Sequence, residues 1–285
     1  MPSEVQPEWT PCTRLSAWYA DQRFPGSMSR KRRYIRYLIL LLILFAVAAQ
    51  QALIKLRVAS WEQTLVVRIY AINGDHLSGS ARYIDSLKLA DFKPIERFIN
   101  SEARRYGIPI DAIRLEYARE LETLPPQPPL APGMLDNIIW SLHFRAWALY
   151  WSFTDDDNNA DINLFVNFFD IDTTQSLRHS VGLRGGMIGL INAFAHTGYS
   201  GSNNVVITHE IMHTLGASDK YDQSNLPLHP GGYAEPYRQP LYPQRKAEIM
   251  GGRIPVSATQ VRMPENLNQV IVGAFTANEI NWYNE

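Results

Sequence analysis

Cysteine is almost missing from this chain: Cys12 is the only one in 285 residues. One thiol can form neither an internal disulfide nor a cysteine-based zinc centre, so any metal chemistry must rest on histidine and carboxylate. An excess of charge of one sign is missing too. The 27 Lys+Arg against 28 Asp+Glu exclude a general nucleic-acid binder, which would need a basic face. No segment of the sequence repeats. Apolar and aromatic residues, at 46% and 11%, are too many for a disordered chain, and the length suffices for a well-buried core in one large or two small domains.

The balanced charge is unevenly spread. Residues 1–51 carry 7 of the Lys+Arg and 3 of the Asp+Glu, which leaves the rest mildly acidic. The cations Arg30, Lys31, Arg32, Arg33 and Arg36 directly precede an apolar run beginning Tyr37-Leu-Ile-Leu-Leu-Leu-Ile-Leu-Phe, and no charge appears again until Lys55. Such a run makes a helix of about 27 Å, just short of a hydrocarbon core of about 30 Å, and Arg36 and Lys55 could snorkel to the two interfaces. A run apolar on every side with cations on one flank argues for a membrane anchor over a buried core helix. Ala46 and Ala48 have cleavage-like spacing, but the segment before the apolar run is longer than that of an ordinary signal peptide. The expected organisation is a cytoplasmic basic tail (1–36), one transmembrane signal anchor (37–57) and an extracytoplasmic domain (58–285), secreted if the anchor is cleaved. No pattern in the sequence specifies an oligomeric state.

Beyond the anchor, Thr64–Ile72 reads as a strand closed by the turn signal Asn73-Gly74. Residues 82–106 read as a helix with a kink or fresh start at Pro94 and a stop at Gly107. A short strand near Ile113–Tyr117, a proline-rich turn at 125–132 and a largely buried helix over 133–153 follow. Ile162–Phe169 and Gly186–Phe194 read as strands, and a third helix starts near Asn203 or Asn204, with Ser202, Asn203 or Asn204 as its cap. Strands separated by helices imply an α+β fold with a twisted mixed sheet. Residues 222–256 read as mostly irregular, and a last helix is expected over Leu267–Trp282.

The third helix carries Thr208-His209-Glu210-Ile211-Met212-His213-Thr214-Leu215-Gly216-Ala217-Ser218-Asp219. Residues four apart on a helix lie one above the other, so His209 and His213 can offer two imidazole nitrogens to one metal ion. Glu210 is turned by about 100°, which suits a base acting on water at the metal better than a ligand. Ile207, Ile211 and Leu215 anchor the opposite side in the core, and Gly216 can end the helix in a left-handed conformation. A catalytic zinc usually takes three protein ligands. A chain reversal at Gly216 makes Asp219 the first candidate for the third, Asp222 a local competitor, and Glu235 and Glu248 more remote ones.

His209-Glu210-x-x-His213-x-x-Gly216-x-x-Asp219 resembles the extended zinc signature of the metzincin metallopeptidases, in the snapalysin-type variant with Asp in place of the commoner His. Asp219-Lys220-Tyr221-Asp222 is similar to the corresponding stretch of immune inhibitor A-type peptidases. Ala247-Glu248-Ile249-Met250-Gly251-Gly252 looks like the methionine turn that metzincins carry beneath the metal. The resemblance implies a metzincin-like domain with an upper part (58–216), an active-site helix and an irregular lower part (217–285). It further implies zinc held by His209, His213 and Asp219, Glu210 as general base, and Met250 at the turn. It would also make Gly186–Phe194 the edge strand on which a peptide lies antiparallel.

Tyr221, Tyr233 and Tyr242 are candidate oxyanion donors, since such a site needs one. Asp155-x-Asp157-x-Asn159-x-Asp161 has the alternating oxygen ligands of a calcium loop, but Ala160 stands where the turn glycine should be, so a solvated turn is the expectation. The sequence therefore points to a membrane-anchored zinc metallopeptidase acting on peptides or proteins. A catalytically silent metal-containing binding module is the alternative, as is a zinc hydrolase acting on a non-peptide amide.

Overall fold

The computed structural model describes residues 30–49 in part and residues 60–283 except 130–132, 154–159 and 184–186. The chain divides into two units, Met1–Ala49 and Gln50–Glu285. In the first, residues 34–39, 41, 42, 44 and 45 are helical and exposed. Among the described residues no helix is long and apolar enough to cross a membrane. Much of the expected anchor, including residues 50–57, lies outside the described residues.

The second unit is α+β, built on a five-stranded mixed sheet. In chain order come β1 (Leu65–Asn73), α1 (Ser78–Ser86), α2 (Leu89–Arg105), β2 (Ile113–Leu121), α3 (Met134–Phe153), β3 (Ile162–Phe169), β4 (Val181–Leu183), β5 (Ile188–Phe194) and α4 (Ser200–Leu215). The strands lie side by side as β2-β1-β3-β5-β4. Three pairs are parallel, with Val67 opposite both Leu115 and Ile162, and Val166 opposite Ile191. Only β4 runs antiparallel, with Gly182 opposite Gly189 of β5.

The interior strand β1 is largely apolar on both faces, because helices cover both sides of a largely parallel sheet. Val67, Ile69 and Ala71 join Ile95 and Ile99 of α2 and Ile207 and Ile211 of α4 in the main core. Tyr70 and Ile72 point the other way, to Phe165, Leu190 and Phe144 of α3. Opposite faces are expected, since the β1–β2 and β2–β3 connections step in opposite directions across the sheet and parallel crossovers keep one hand. Helix α4 is thus packed on the sheet face away from α3. Each fully buried Ile or Val there contributes roughly 1.5–3 kcal/mol.

Several expectations are corrected. The helix expected over 82–106 is two helices, and the break falls at Leu87-Lys88 rather than at Pro94, which lies inside α2. The Asp91 carboxylate accepts the Lys88 N–H at 2.7 Å and so fixes the new start, while Gly107 follows α2 at φ +87° as expected. Helix α4 begins at Ser200, before the expected caps. Asn203 instead bonds both backbone groups of Phe194, and Asn204 donates to the Asp91 carbonyl. Helix α3 is half exposed rather than largely buried: Met134, Leu135 and Ile139 keep 81%, 72% and 65% of their surface, while Phe144 and Ala148 are buried.

The C-terminal part is irregular, as expected, apart from short pieces. These are β6 (Ala247–Glu248), β7 (Ile254–Pro255), β8 (Val261–Arg262), β9 (Val270–Ile271) and α5 (Ala274–Glu279). The helix expected over Leu267–Trp282 is reduced to α5, because Val270 and Ile271 are extended and pair in parallel with Ala247 and Glu248.

Candidate metal centre

Helix α4 has the two faces that its sequence requires. Ile207 and Ile211 are fully buried in the main core, while His209 and His213 face the sequence that follows the helix. The helix ends at Gly216 with φ +116°, a left-handed conformation that favours glycine. The reversal brings Asp219 back onto the histidines. Its Oδ1 lies 3.1 Å from Nε2 of His209 and 3.1 Å from Nε2 of His213, and the three ligand atoms all fall within 4.8 Å of one another. Tetrahedral ligands at about 2.0–2.1 Å from zinc stand about 3.3 Å apart, so the spacing suits that ion.

The outer nitrogens of both rings are already committed. Nδ1 of His209 lies 2.9 Å from the Ile249 carbonyl oxygen, and Nδ1 of His213 lies 2.9 Å from that of Ala217. A carbonyl only accepts, so each ring carries a proton on Nδ1 and turns Nε2 toward Asp219. Two imidazole nitrogens and a carboxylate oxygen therefore converge on one point, and the carbonyl held by each outer nitrogen is the kind of contact that orients a histidine toward a metal. Burial pushes the Asp219 carboxyl up, but hydrogen bonds to both histidines hold it well below the usual range. Burial lowers the proton affinity of His209, and Asp219 and Glu210 more than reverse this, so it is raised.

Glu210 is 4% exposed. Burial raises its carboxyl above the ordinary value while the neighbouring histidines pull it back, and Oε2 has no hydrogen-bond partner among the described residues. A carboxylate of raised basicity with a free lone pair is what a proton acceptor needs. The residue facing it is Gly182 of β4. A Cβ there would come within 2.7 Å of both the Glu210 carbonyl oxygen and the His213 Cβ, so glycine lets the edge strand lie directly on the helix. Gly182 was not singled out in the sequence, because a three-residue strand has no periodicity to read.

The turn at 248–252 behaves as a template. The Ile249 carbonyl orients His209, and the Met250 carbonyl accepts the N–H of Lys220 at 2.9 Å, next to Asp219. The Met250 side chain is fully buried in the main core. Glu248 is no ligand candidate in the structure. Its buried carboxylate accepts from the N–H groups of Met250, Gly251 and Gly273 and from the Thr276 hydroxyl, tying the turn to the start of α5. Burial pushes this carboxyl up, and those donors pull it back.

The other candidates separate cleanly. Asp222 accepts from the N–H groups of Ser224 and Leu226, which closes its own turn, and neither it nor Glu235 joins the ligand cluster. Tyr221 packs its ring 6.1 Å from that of His209, and burial, together with the Asp219 charge and its hydrogen bond, raises its hydroxyl well above the ordinary value. Tyr233 and Tyr242 bond each other at 2.8 Å instead. The strand Ile188–Phe194 is interior, between β3 and β4; the edge strand beside the site is β4. Most of the candidate calcium loop, residues 154–159, lies outside the described residues, and Asp161 accepts the Val66 N–H.

A cavity of about 230 Å³ opens beside His209 and Glu210, lined among others by Val206, Tyr221, Arg253 and Met263. A larger one of about 920 Å³, bordered by Arg97, Ser200, Lys246 and Asn266, contains none of the site residues. No protein-family model and no curated protein matches the chain. A solved structure of a chaperone–substrate complex matches 76% of this chain at 14% identity and a TM-score of 0.37. This chain spans 33% of that one, and similarity at this level bears on neither fold nor function.

Proposed function

We propose that this chain is a zinc-dependent metallopeptidase of the metzincin type, anchored by the apolar run at 37–57 with its catalytic domain outside the cytoplasm. The observation that carries the reading is the convergence of three possible ligand atoms, His209 Nε2, His213 Nε2 and Asp219 Oδ1, beside the buried carboxylate of Glu210. His209, His213 and Asp219 would hold the metal. Zinc, when bound, supplies Lewis acidity, which polarises a carbonyl and acidifies water.

The chain's own groups supply the rest. Glu210 takes the proton from the attacking water and passes it to the departing amine, so its raised basicity serves both halves of the reaction. The outer side of β4 carries no strand among the described residues, so an extended peptide can add there by main-chain hydrogen bonds. Gly182 then keeps that peptide close to Glu210. The Tyr221 hydroxyl, which remains protonated at neutral pH, can donate to the oxygen that becomes negative during attack. The cavity between Val206 and Arg253 receives a side chain next to the cleaved bond.

The test is zinc content and peptide hydrolysis of the purified full chain and of Glu210→Gln. Stoichiometric zinc in both, with hydrolysis lost by at least ~100-fold in the variant, is the expected result. Absence of zinc from the wild type, or undiminished hydrolysis by the variant, would refute the reading.

A further inference from the structure

Helix α3 is apolar on two opposite faces, and the fold uses only one of them. Trp140, Phe144, Trp147 and Trp151 lie on the sheet side. The rings of Trp140 and Phe144 stack at 5.6 Å, and Trp147 meets Phe165 edge-on at 4.8 Å. The opposite side carries Leu135, Ile138, Ile139, Leu142, Leu149 and Tyr150, of which the least exposed, Leu142, keeps 47% of its surface. At 100° per residue these six fall within an arc of about 120°, and they extend over about 22 Å of helix. Polar residues mark the borders of this stripe, with Asp136 and His143 along one margin and Ser141 and Arg145 along the other. A continuous exposed patch of this kind marks an interaction surface.

We propose that the outer face of α3 is a second membrane contact, lying flat in the lipid interface. The proposal rests on the anchor reading. The uncharged run ends at Ile54, and only residues 55–64 separate it from β1. Ten residues span at most about 35 Å even when fully extended, so an anchored chain keeps this domain beside the bilayer at all times. The chemistry of the stripe suits lipid better than a protein partner. Protein interfaces concentrate Trp, Tyr and Arg at their centre and under-use Leu as an anchor, whereas this stripe is aliphatic apart from Tyr150. A helix lying in the interface buries its apolar face about 5–10 Å deep and leaves such margins at headgroup level. The aromatic packing on the sheet side holds the helix rigidly, so the stripe is presented without rearrangement.

The contact would also fix the orientation of the domain. Helix α3 covers the sheet face opposite α4, so seating α3 on lipid turns the metal-binding helix away from the bilayer. Substrates approaching from the aqueous side would then meet the β4 edge.

The experiment uses the full chain with Cys12→Ser and a nitroxide placed through Leu142→Cys, reconstituted in phosphatidylcholine–phosphatidylglycerol vesicles. Arg104→Cys on α2 is the aqueous control. Collision with oxygen and with a water-soluble nickel chelate is read by electron paramagnetic resonance. At position 142 oxygen accessibility is expected to exceed nickel accessibility several-fold, with the reverse at position 104. Three results would overturn the proposal. A nickel-accessible label in vesicle-bound protein places the stripe in water. A label shielded from both reagents shows a protein cover, either a second copy or another segment. A chain that fails to float with the vesicles refutes the anchor along with the docking.

Discussion

Nδ1 of His209 lies 2.9 Å from the carbonyl oxygen of Ile249, forty residues further along the chain. The next carbonyl, that of Met250, holds the amide of Lys220 beside Asp219. One turn therefore orients a candidate ligand borne on a helix and a candidate ligand borne on a loop. Its own shape is fixed from below by Glu248, whose carboxylate bonds two amides of the turn and two groups at the start of α5. The chain beyond residue 222 thus acts on the site through hydrogen bonds, although none of its described residues joins the ligand cluster.

Asp219→Asn should weaken zinc binding by at least ~100-fold, a loss at the upper end of what even outer-shell substitutions cause. The amide keeps the shape but gives up the charge that the two imidazoles face at 3.1 Å. Asp222→Asn should bind zinc as the wild type does, because an asparagine oxygen can still accept from Ser224 and Leu226. Competition against a chromophoric chelator measures both. Equal losses in the two variants would rule out Asp219 as the distinctive ligand.

What could be read from the sequence was local. The facing histidines, the offset Glu210 and the stop at Gly216 all depend on one helix and its periodicity, and all four stand where they were expected. Asp219 was legible because it lies only six residues past His213. The roles of Gly182 and Glu248 depend on partners distant in the sequence, Glu210 for the first and Gly273 and Thr276 for the second, and no spacing rule links them. The sheet edge was misplaced for a related reason: β4 is too short to show alternation, so the longer strand Ile188–Phe194 took its place in the reading. Helix α3 misled differently. Apolar residues on all sides imply burial only if both faces find protein, and here one does not.

Gly182→Ala should impair hydrolysis more than stability. The added methyl would sit 2.7 Å from a backbone oxygen and 2.7 Å from a Cβ, neither of which can rotate away, so β4 must move off α4. Such overpacking costs about 1–3 kcal/mol, which a domain of this size tolerates. A displaced β4 separates the peptide-binding edge from Glu210, and kcat/KM should drop by at least ~10-fold. Peptide hydrolysis and thermal unfolding compared on the same preparation separate the two effects. A variant that cleaves normally would show that the close approach plays no part in catalysis.

Acid should loosen the support of Asp219 through Glu279. The Glu279 carboxylate accepts from the backbone N–H and the hydroxyl of Ser218 and from Lys220 Nζ at 2.7 Å, and so brackets Asp219 on both sides. Burial alone would raise its proton affinity, but the bonds from Lys220 and Ser218 outweigh burial and lower it from 4.5. A carboxyl held below its unfolded value stabilises the fold fully above that value and loses the contribution as pH falls through the native one. The Lys220 side chain is only 9% exposed, so salt should screen the pair weakly. Urea unfolding of the wild type and Glu279→Gln should therefore differ by about 1–3 kcal/mol at neutral pH. The difference should shrink steadily as the pH is taken below 4.5. A constant difference down to the acid limit would mean that the glutamine loses packing rather than charge. A shrinking one would make this carboxylate an acid-sensitive brace behind Asp219.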